Sequence, residues 1–297
     1  MFTLRQYLLA LLDSRGLTRT LGEIDVCRDE QGRPCFSAGN SAAVFRIRLG
    51  GRIRSLRCYL RPMRHLKEIY GQRLLEKELY LHTSPETGVW VDTVLGDWIE
   101  GSTLHETVAQ AAALRDRESL QILVRLFDRL ALALVTDDRA HGDLKPENII
   151  VGDDGTLCPI DFDASYLPAF AGEISPELGT AAYQHPARTA ANFDERIDDY
   201  PAALISTALH ALAENPTLWD RYGSSDGLLY TPQRIASDPA YRETLALFEK
   251  RGMAVQYRIA QLLTAPTLRL FGLAELLAEA VREKPAVRSG TEAETPE

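Results

Sequence analysis

Lysine is the residue this chain most lacks: only five occur in 297 residues, at Lys67, Lys77, Lys145, Lys250 and Lys284, against 28 arginines. Asp and Glu together number 42, leaving a formal charge of −9 and a pI near 5.3. No basic cluster stands out against that acidic background, so nucleic acid and anionic membrane surfaces are poor default partners. The four cysteines, Cys27, Cys35, Cys58 and Cys158, have neither the close pairing of a zinc site nor the density of a secreted scaffold, and a reducing cytoplasm is the expected setting. No run approaches the roughly 20 consecutive apolar residues that a membrane span needs. The apolar stretch 7–12 follows Arg5 and Gln6 and lacks a small-residue cleavage site, so a signal peptide is not expected. Internal repeats are also missing.

What is present is a hydrophobic content of 45%, enough in this length for one large core or two modest ones. Leu4, Leu8, Leu11 and Leu12 line one face of a helix over residues 3–14. Residues 23–61 read as three antiparallel strands broken by turns at 29–33 and at Gly50-Gly51. A charged helix is expected over 64–80 and a strand over 89–99. Leu120, Leu123, Val124, Phe127, Leu130, Ala131 and Leu134 mark a buried scaffold helix. Further helices are expected over 197–212, 241–250, 254–263 and 268–283, with a disordered tail over 284–297.

Polar chemistry concentrates in one place. His141-Gly-Asp-Leu-Lys-Pro-Glu-Asn-Ile149 and Ile160-Asp-Phe-Asp163 flank two apolar runs joined by the turn Gly152-Asp-Asp-Gly155, the pattern of a β-hairpin. Hard divalent cations take oxygen ligands, and Asn148 and Asp161 supply an amide and a carboxylate oxygen. Asp143 is the candidate to orient an attacking hydroxyl and accept its proton. Lys145, made more informative by the scarcity of lysine, is placed to neutralise charge on a transferred phosphoryl group.

The order H-x-D-x-K-x-x-N, hairpin, D-F resembles the catalytic and metal-binding loops of the protein-kinase superfamily. The resemblance implies an α+β, bilobal protein-kinase-like fold: a small antiparallel β lobe over 1–100 with its leading helix, and a larger helical lobe over 101–283. It also implies ATP and Mg²⁺ as cofactors. Residues 36–45 are similar to the phosphate-covering loop, with Gly39 the one glycine retained and Val44 in the apolar place. Arg57 stands where the family carries its phosphate-binding lysine. Glu76, chosen over Glu68 and Glu78, is its implied partner on the helix expected over 64–80. Backbone groups of Asp97 and Ile99 are implied adenine contacts, and Gly96 leaves an open rear cavity unless a neighbour fills it. Gly179-Thr-Ala-Ala-Tyr-Gln-His-Pro186 resembles the end of the activation segment in Ser/Thr kinases, which brings Thr180 beside Asp143 and Lys145. His141, Phe162 and Asp198, with Asp199 an alternative, are the implied structural supports.

Beyond Arg57 and the depleted glycines, three further departures accompany the resemblance: Gly142 replaces an arginine, Asp163 a glycine and Ala187 a glutamate. The implied function is that of a bacterial-type, eukaryotic-like Ser/Thr protein kinase acting on a protein substrate, in a family whose members often act beside a phosphatase. Two other readings stay open. One is a pseudokinase that serves as an ATP-binding or scaffold module; the other is a small-molecule phosphotransferase of the aminoglycoside or choline type, which His-Gly-Asp-Leu and Ile-Asp-Phe-Asp also resemble.

Overall fold

The computed structural model describes residues 1–283; the tail expected over 284–297 lies outside the described residues. The chain forms two compact units. The first comprises Met1–Gly101 together with Gly152–Asp154 and Ile160–Ser165; the second comprises Ser102–Val151, Gly155–Pro159 and the chain from Tyr166 onward. The architecture is α+β, with a curled antiparallel sheet in one unit and helices dominating the other, consistent with a bilobal kinase-like fold.

The first unit begins with α1 (Leu4–Leu12), whose start is fixed by a reciprocal capping box between Thr3 and Gln6. Its strands are β1 (Asp25–Val26), β2 (Phe36–Ala38), β3 (Ala42–Leu49), β4 (Arg52–Tyr59), β5 (Leu74–His82) and β6 (Gly88–Asp97), with the short helix α2 (Leu66–Tyr70) between β4 and β5. The sheet order is β1-β3-β4-β6-β5, and β2 pairs with β3 beside β1. Gly50 and Gly51, both at positive φ, make the β3–β4 turn where their missing Cβ atoms permit it. Alternation along β3 buries Ala43, Phe45 and Ile47, which pack with Tyr7 and Leu11 of α1 and Leu79 and Leu81 of β5. The Tyr7 hydroxyl donates to the Tyr59 carbonyl at 2.6 Å, tying helix to sheet.

The helix expected over 64–80 is corrected by the structure. Only Leu66–Tyr70 is helical, and Gly71 at φ +53 ends it. The Leu74–His82 stretch is a strand whose alternation is interrupted by a bulge: Lys77 takes φ +50, and its N–H donates to Asp92 at 2.7 Å. That extra residue breaks the two-residue period, so the leucines mimic helical spacing in the sequence. Glu76 is therefore exposed on β5, 3.5 Å from Lys67, rather than paired with Arg57. Glu78 is buried on the same strand, where its carboxylate accepts N–H bonds from Arg19, Thr20 and Leu21.

In the second unit β7 (Gly101–Thr103) leads into α3 (Leu104–Ala113) and α4 (Arg117–Thr136). The hairpin β8 (Ile149–Gly152) and β9 (Leu157–Pro159) forms a three-stranded sheet with β7 in the order β7-β8-β9, and Ile149 faces Pro159 in its register. Then come α5 (Asp199–Glu214), α6 (Leu218–Tyr222), α7 (Pro239–Arg251), α8 (Ala254–Leu262) and α9 (Leu273–Arg282). Asp116 caps α4, whose Leu120, Leu123, Phe127 and Ala131 enter one core with Leu204, Ile205 and Leu209 of α5. Where the two helices meet, buried Asp128 accepts from the Ser206 hydroxyl at 2.7 Å and lies 2.8 Å from His210 Nε2. Among the described residues no helix is long and apolar enough to cross a membrane, and none of the four cysteines forms a disulfide.

Asp199, at the first turn of α5, accepts the Leu270 N–H at 3.1 Å. Burial raises its carboxyl from the ordinary value of 3.8 to about 6, against the lowering effect of that bond and of Arg196. A group that holds its proton more tightly in the folded state contributes stability below pH 4 and loses it as pH rises through about 6. The difference between wild-type and Asp199→Asn urea-unfolding free energies should therefore shift by roughly 2–3 kcal/mol between pH 4 and pH 7 in favour of the variant. A difference that stays flat across that range would contradict the assignment.

Candidate active site

The second unit holds the candidate catalytic loop, residues 141–148, whose shape is set from below. Asp198, at the entry to α5, is buried, and its carboxylate accepts the backbone N–H groups of His141 and Gly142, the latter at 3.0 Å. It occupies the N-cap position of α5, but its side chain makes no capping bond to that helix. Burial pushes its carboxyl upward, opposed by His141 and the two amides. Gly142 takes φ +81, a conformation that costs other residues about 1–2 kcal/mol. His141 is buried, and its Nδ1 accepts the Asp143 N–H at 3.3 Å.

This bracing presents Asp143, whose side chain is 17% exposed, to three donors. Oδ1 accepts the Thr180 N–H at 2.6 Å; Oδ2 lies 3.2 Å from Asn148 Nδ2 and 3.3 Å from Lys145 Nζ. Lys145 also donates to the Thr180 hydroxyl at 2.8 Å, so Thr180, Asp143 and Lys145 form one closed group. Asn148 donates a second bond to the Asp143 carbonyl at 3.0 Å. Gly179, at φ +71, lies so close that an added Cβ would meet the Gly142 carbonyl at 2.8 Å and Asp143 Oδ1 at 3.1 Å. The glycine is thus required both by its backbone conformation and by the space beside the carboxylate.

Sequence reasoning missed Arg188. It is buried, donates to the Gly142 carbonyl at 2.9 Å and contacts Gln184. Burial lowers its pKa against the opposing pull of Asp198 and Asp143. Nothing in its local sequence ties it to the loop, because the loop carbonyl it meets lies 46 positions away.

In the first unit Arg57 projects from β4, and its side chain is 12% exposed. Its Nε donates to Asp163 Oδ2 at 3.0 Å; Nη2 donates to Asp161 Oδ1 at 2.5 Å and also to Asp163. Burial alone would lower the guanidinium pKa, but Asp161 and Asp163 hold it above its ordinary value. Asp163 Oδ1 accepts the hydroxyls of Tyr70 at 2.6 Å and Tyr59 at 3.1 Å. Burial, reinforced by Asp163, raises the pKa of both phenols and keeps them as donors. Asp163 lies in the short 3₁₀ turn Phe162–Ala164, where the freedom of the expected glycine is not needed. Asp161 just before it takes φ +66, a left-handed conformation that aspartate tolerates better than most residues. Phe162 packs with Tyr59, Tyr70 and Val94.

The remaining sequence candidates also lie in the first unit. Gly39 opens the β2–β3 turn, with its N–H on the Ala42 carbonyl at 2.9 Å, and Val44 is half-buried on β3 opposite Arg57. Asp97 ends β6, where its carbonyl accepts the Ser55 hydroxyl at 3.1 Å and its carboxylate pairs with Arg54; Ile99 follows, half-buried. The space expected beside Gly96 is narrowed by Ser55, whose hydroxyl would lie 2.8 Å from an added Cβ.

In the second unit Asn148 commits its Nδ2 to Asp143, and in the first Asp161 commits Oδ1 to Arg57, while Asn148 Oδ1 and Asp161 Oδ2 make no hydrogen bond among the described residues. Each, taken by itself, is an oxygen of the kind that hard divalent cations take. No group of three or more His, Cys, Asp or Glu side chains is arranged as a metal cage among the described residues.

No protein-family model matches the chain. Three curated proteins are similar to parts of it. The CBL-interacting protein kinase 17 of Oryza sativa subsp. japonica is 28% identical over 172 residues, 55% of this chain and 35% of that protein. The serine/threonine-protein kinase PknL of Mycobacterium tuberculosis is 34% identical over 113 residues, 36% of this chain and 27% of its own. The serine/threonine-protein kinase chk1 of Schizosaccharomyces pombe is 25% identical over 160 residues, 52% and 31% respectively. The chain thus spans at most 35% of the length of these relatives. Together they support a relationship to the protein kinase superfamily.

Proposed function

We propose that this chain is a Ser/Thr protein kinase that transfers the γ-phosphate of Mg-ATP to a hydroxyl of a protein substrate. The observation that carries this reading is the closed group Asp143, Lys145, Asn148 and Thr180, supported from beneath by Asp198. Asp143 accepts the proton of the attacking hydroxyl and orients it. Lys145 offsets negative charge on the transferred group, and Thr180 holds both side chains in place. Arg57 binds nucleotide phosphates, the Asp97 to Ile99 backbone meets the base, and Gly39 and Val44 cover the phosphates. Asn148 and Asp161 would each offer an oxygen to Mg²⁺, which when bound would neutralise phosphate charge. In this reading the first unit is the nucleotide-binding part and the second the catalytic part. The unpaired cysteines are in keeping with a reducing, cytoplasmic setting; that the enzyme is bacterial and acts beside a phosphatase rests on the resemblance alone.

One observation favours a second reading, a nucleotide-binding module without transfer: Arg57 already neutralises Asp161. Incubation with γ-labelled ATP and Mg²⁺, in the presence of protein acceptors, choline and an aminoglycoside, separates the readings. Acid-stable, alkali-labile label on protein is expected. Label on a small alcohol would move the chain to the small-molecule phosphotransferases, and nucleotide binding without label would make it a pseudokinase.

A further inference from the structure

We propose that Asp163 is a positioning residue for Arg57, gripping one edge of the guanidinium so that the other edge is presented to a nucleotide phosphate; this rests on the phosphotransfer reading above. The guanidinium is a planar fork with five N–H donors. Asp163 takes Nε at 3.0 Å and shares Nη2 with Asp161. Nη1 makes no hydrogen bond among the described residues, although the side chain as a whole is only 12% exposed. A lysine ammonium is a point charge, and the same two carboxylates would enclose its single nitrogen. Arginine can be held on one side and remain open on the other, which gives a physical reason for its presence on β4.

Asp163 is itself immobilised. Its side chain is 4% exposed, Oδ2 receives two N–H groups of Arg57, and Oδ1 receives the hydroxyls of Tyr70 and Tyr59. Those four bonds fill the acceptor capacity of a carboxylate, so Asp163 has no lone pair left for a cation. Asp161, 40% exposed and with Oδ2 unbonded, does. Two aspartates two positions apart therefore hold different offices: one orients an arginine and the other remains open to metal. The five-residue α2 supplies a tyrosine hydroxyl to this arrangement where a helix carboxylate was expected, and Arg57 draws its counter-ion from the Asp161 loop.

The test compares ATP dissociation constants by calorimetry, and kcat against KM, in the full chain and three variants. Asp163→Asn is expected to weaken ATP binding about tenfold or more, with a much smaller loss of kcat at saturating ATP. Asp161→Asn should show the opposite split, losing mainly kcat. Tyr70→Phe keeps the aromatic bulk and the charge of Asp163 while removing one restraint; it should raise the ATP dissociation constant severalfold in the same direction, and it decides the matter if Asp163→Asn does not fold. Unchanged ATP affinity in Tyr70→Phe and in folded Asp163→Asn, or a loss confined to kcat, would overturn the role of Asp163. A wild-type chain that binds no ATP would instead overturn the phosphotransfer reading, and this proposal with it.

Discussion

Asp143→Asn should lower the rate of phosphoryl transfer about 10²–10⁴-fold, the usual contribution of a positioned general base, while ATP still protects the chain against thermal unfolding. The amide retains one oxygen for the Thr180 N–H at Oδ1. Its new NH₂ group, however, would face Asn148 Nδ2 and Lys145 Nζ, two donors that the carboxylate now accepts or attracts. The substitution therefore removes the proposed proton acceptor and sets donor against donor at the same atom. Label incorporation measured beside nucleotide-dependent melting separates the two consequences. Transfer at the wild-type rate would remove Asp143 from its place at the reacting hydroxyl.

The second large effect concerns the floor of the loop. Replacing Asp198 by Ala orphans the buried N–H groups of His141 and Gly142, each at a cost of about 1–3 kcal/mol, and removes the carboxylate that most offsets the burial of Arg188. Urea unfolding should register several kcal/mol of destabilisation. Activity should fall further than stability alone explains, because His141 and Gly142 set the backbone from which Asp143 projects. Asp198→Asn provides the graded control, since its amide oxygen can still accept one of the two N–H groups. A variant with wild-type stability and rate would show that the Asp198 carboxylate is incidental to the loop.

The contrast between Asp198 and Asp199 shows how far one sequence can be read. Both fit the start of an apolar helix, and an aspartate there is ordinarily a cap. Only the folded chain shows that Asp198 serves the loop around residue 141 while Asp199 holds Leu270. The grouping of Asp143, Lys145 and Asn148 was legible because they fall within six residues, and the hairpin that follows announces itself by a Gly-Asp-Asp-Gly turn. The partner of Arg57 was not legible, since a bulge at Lys77 made a strand look helical and drew attention to Glu76. The tyrosines that secure Asp163 carry no sequence signal at all; Tyr59 ends a strand and Tyr70 ends a helix.

By itself the sequence determined the short-range matters: which segments alternate with a period of two or of 3.6, where glycine permits a left-handed turn, and which polar groups crowd one loop. These follow from the steric and hydrophobic preferences of neighbouring residues. The tertiary structure alone decided which charges meet. Arg57 and Asp163 are 106 positions apart, and His141 and Asp198 are 57 apart. Such pairs are selected because a buried charge must find a counter-charge or a donor once water is excluded, a condition that exists only after the chain has closed around it.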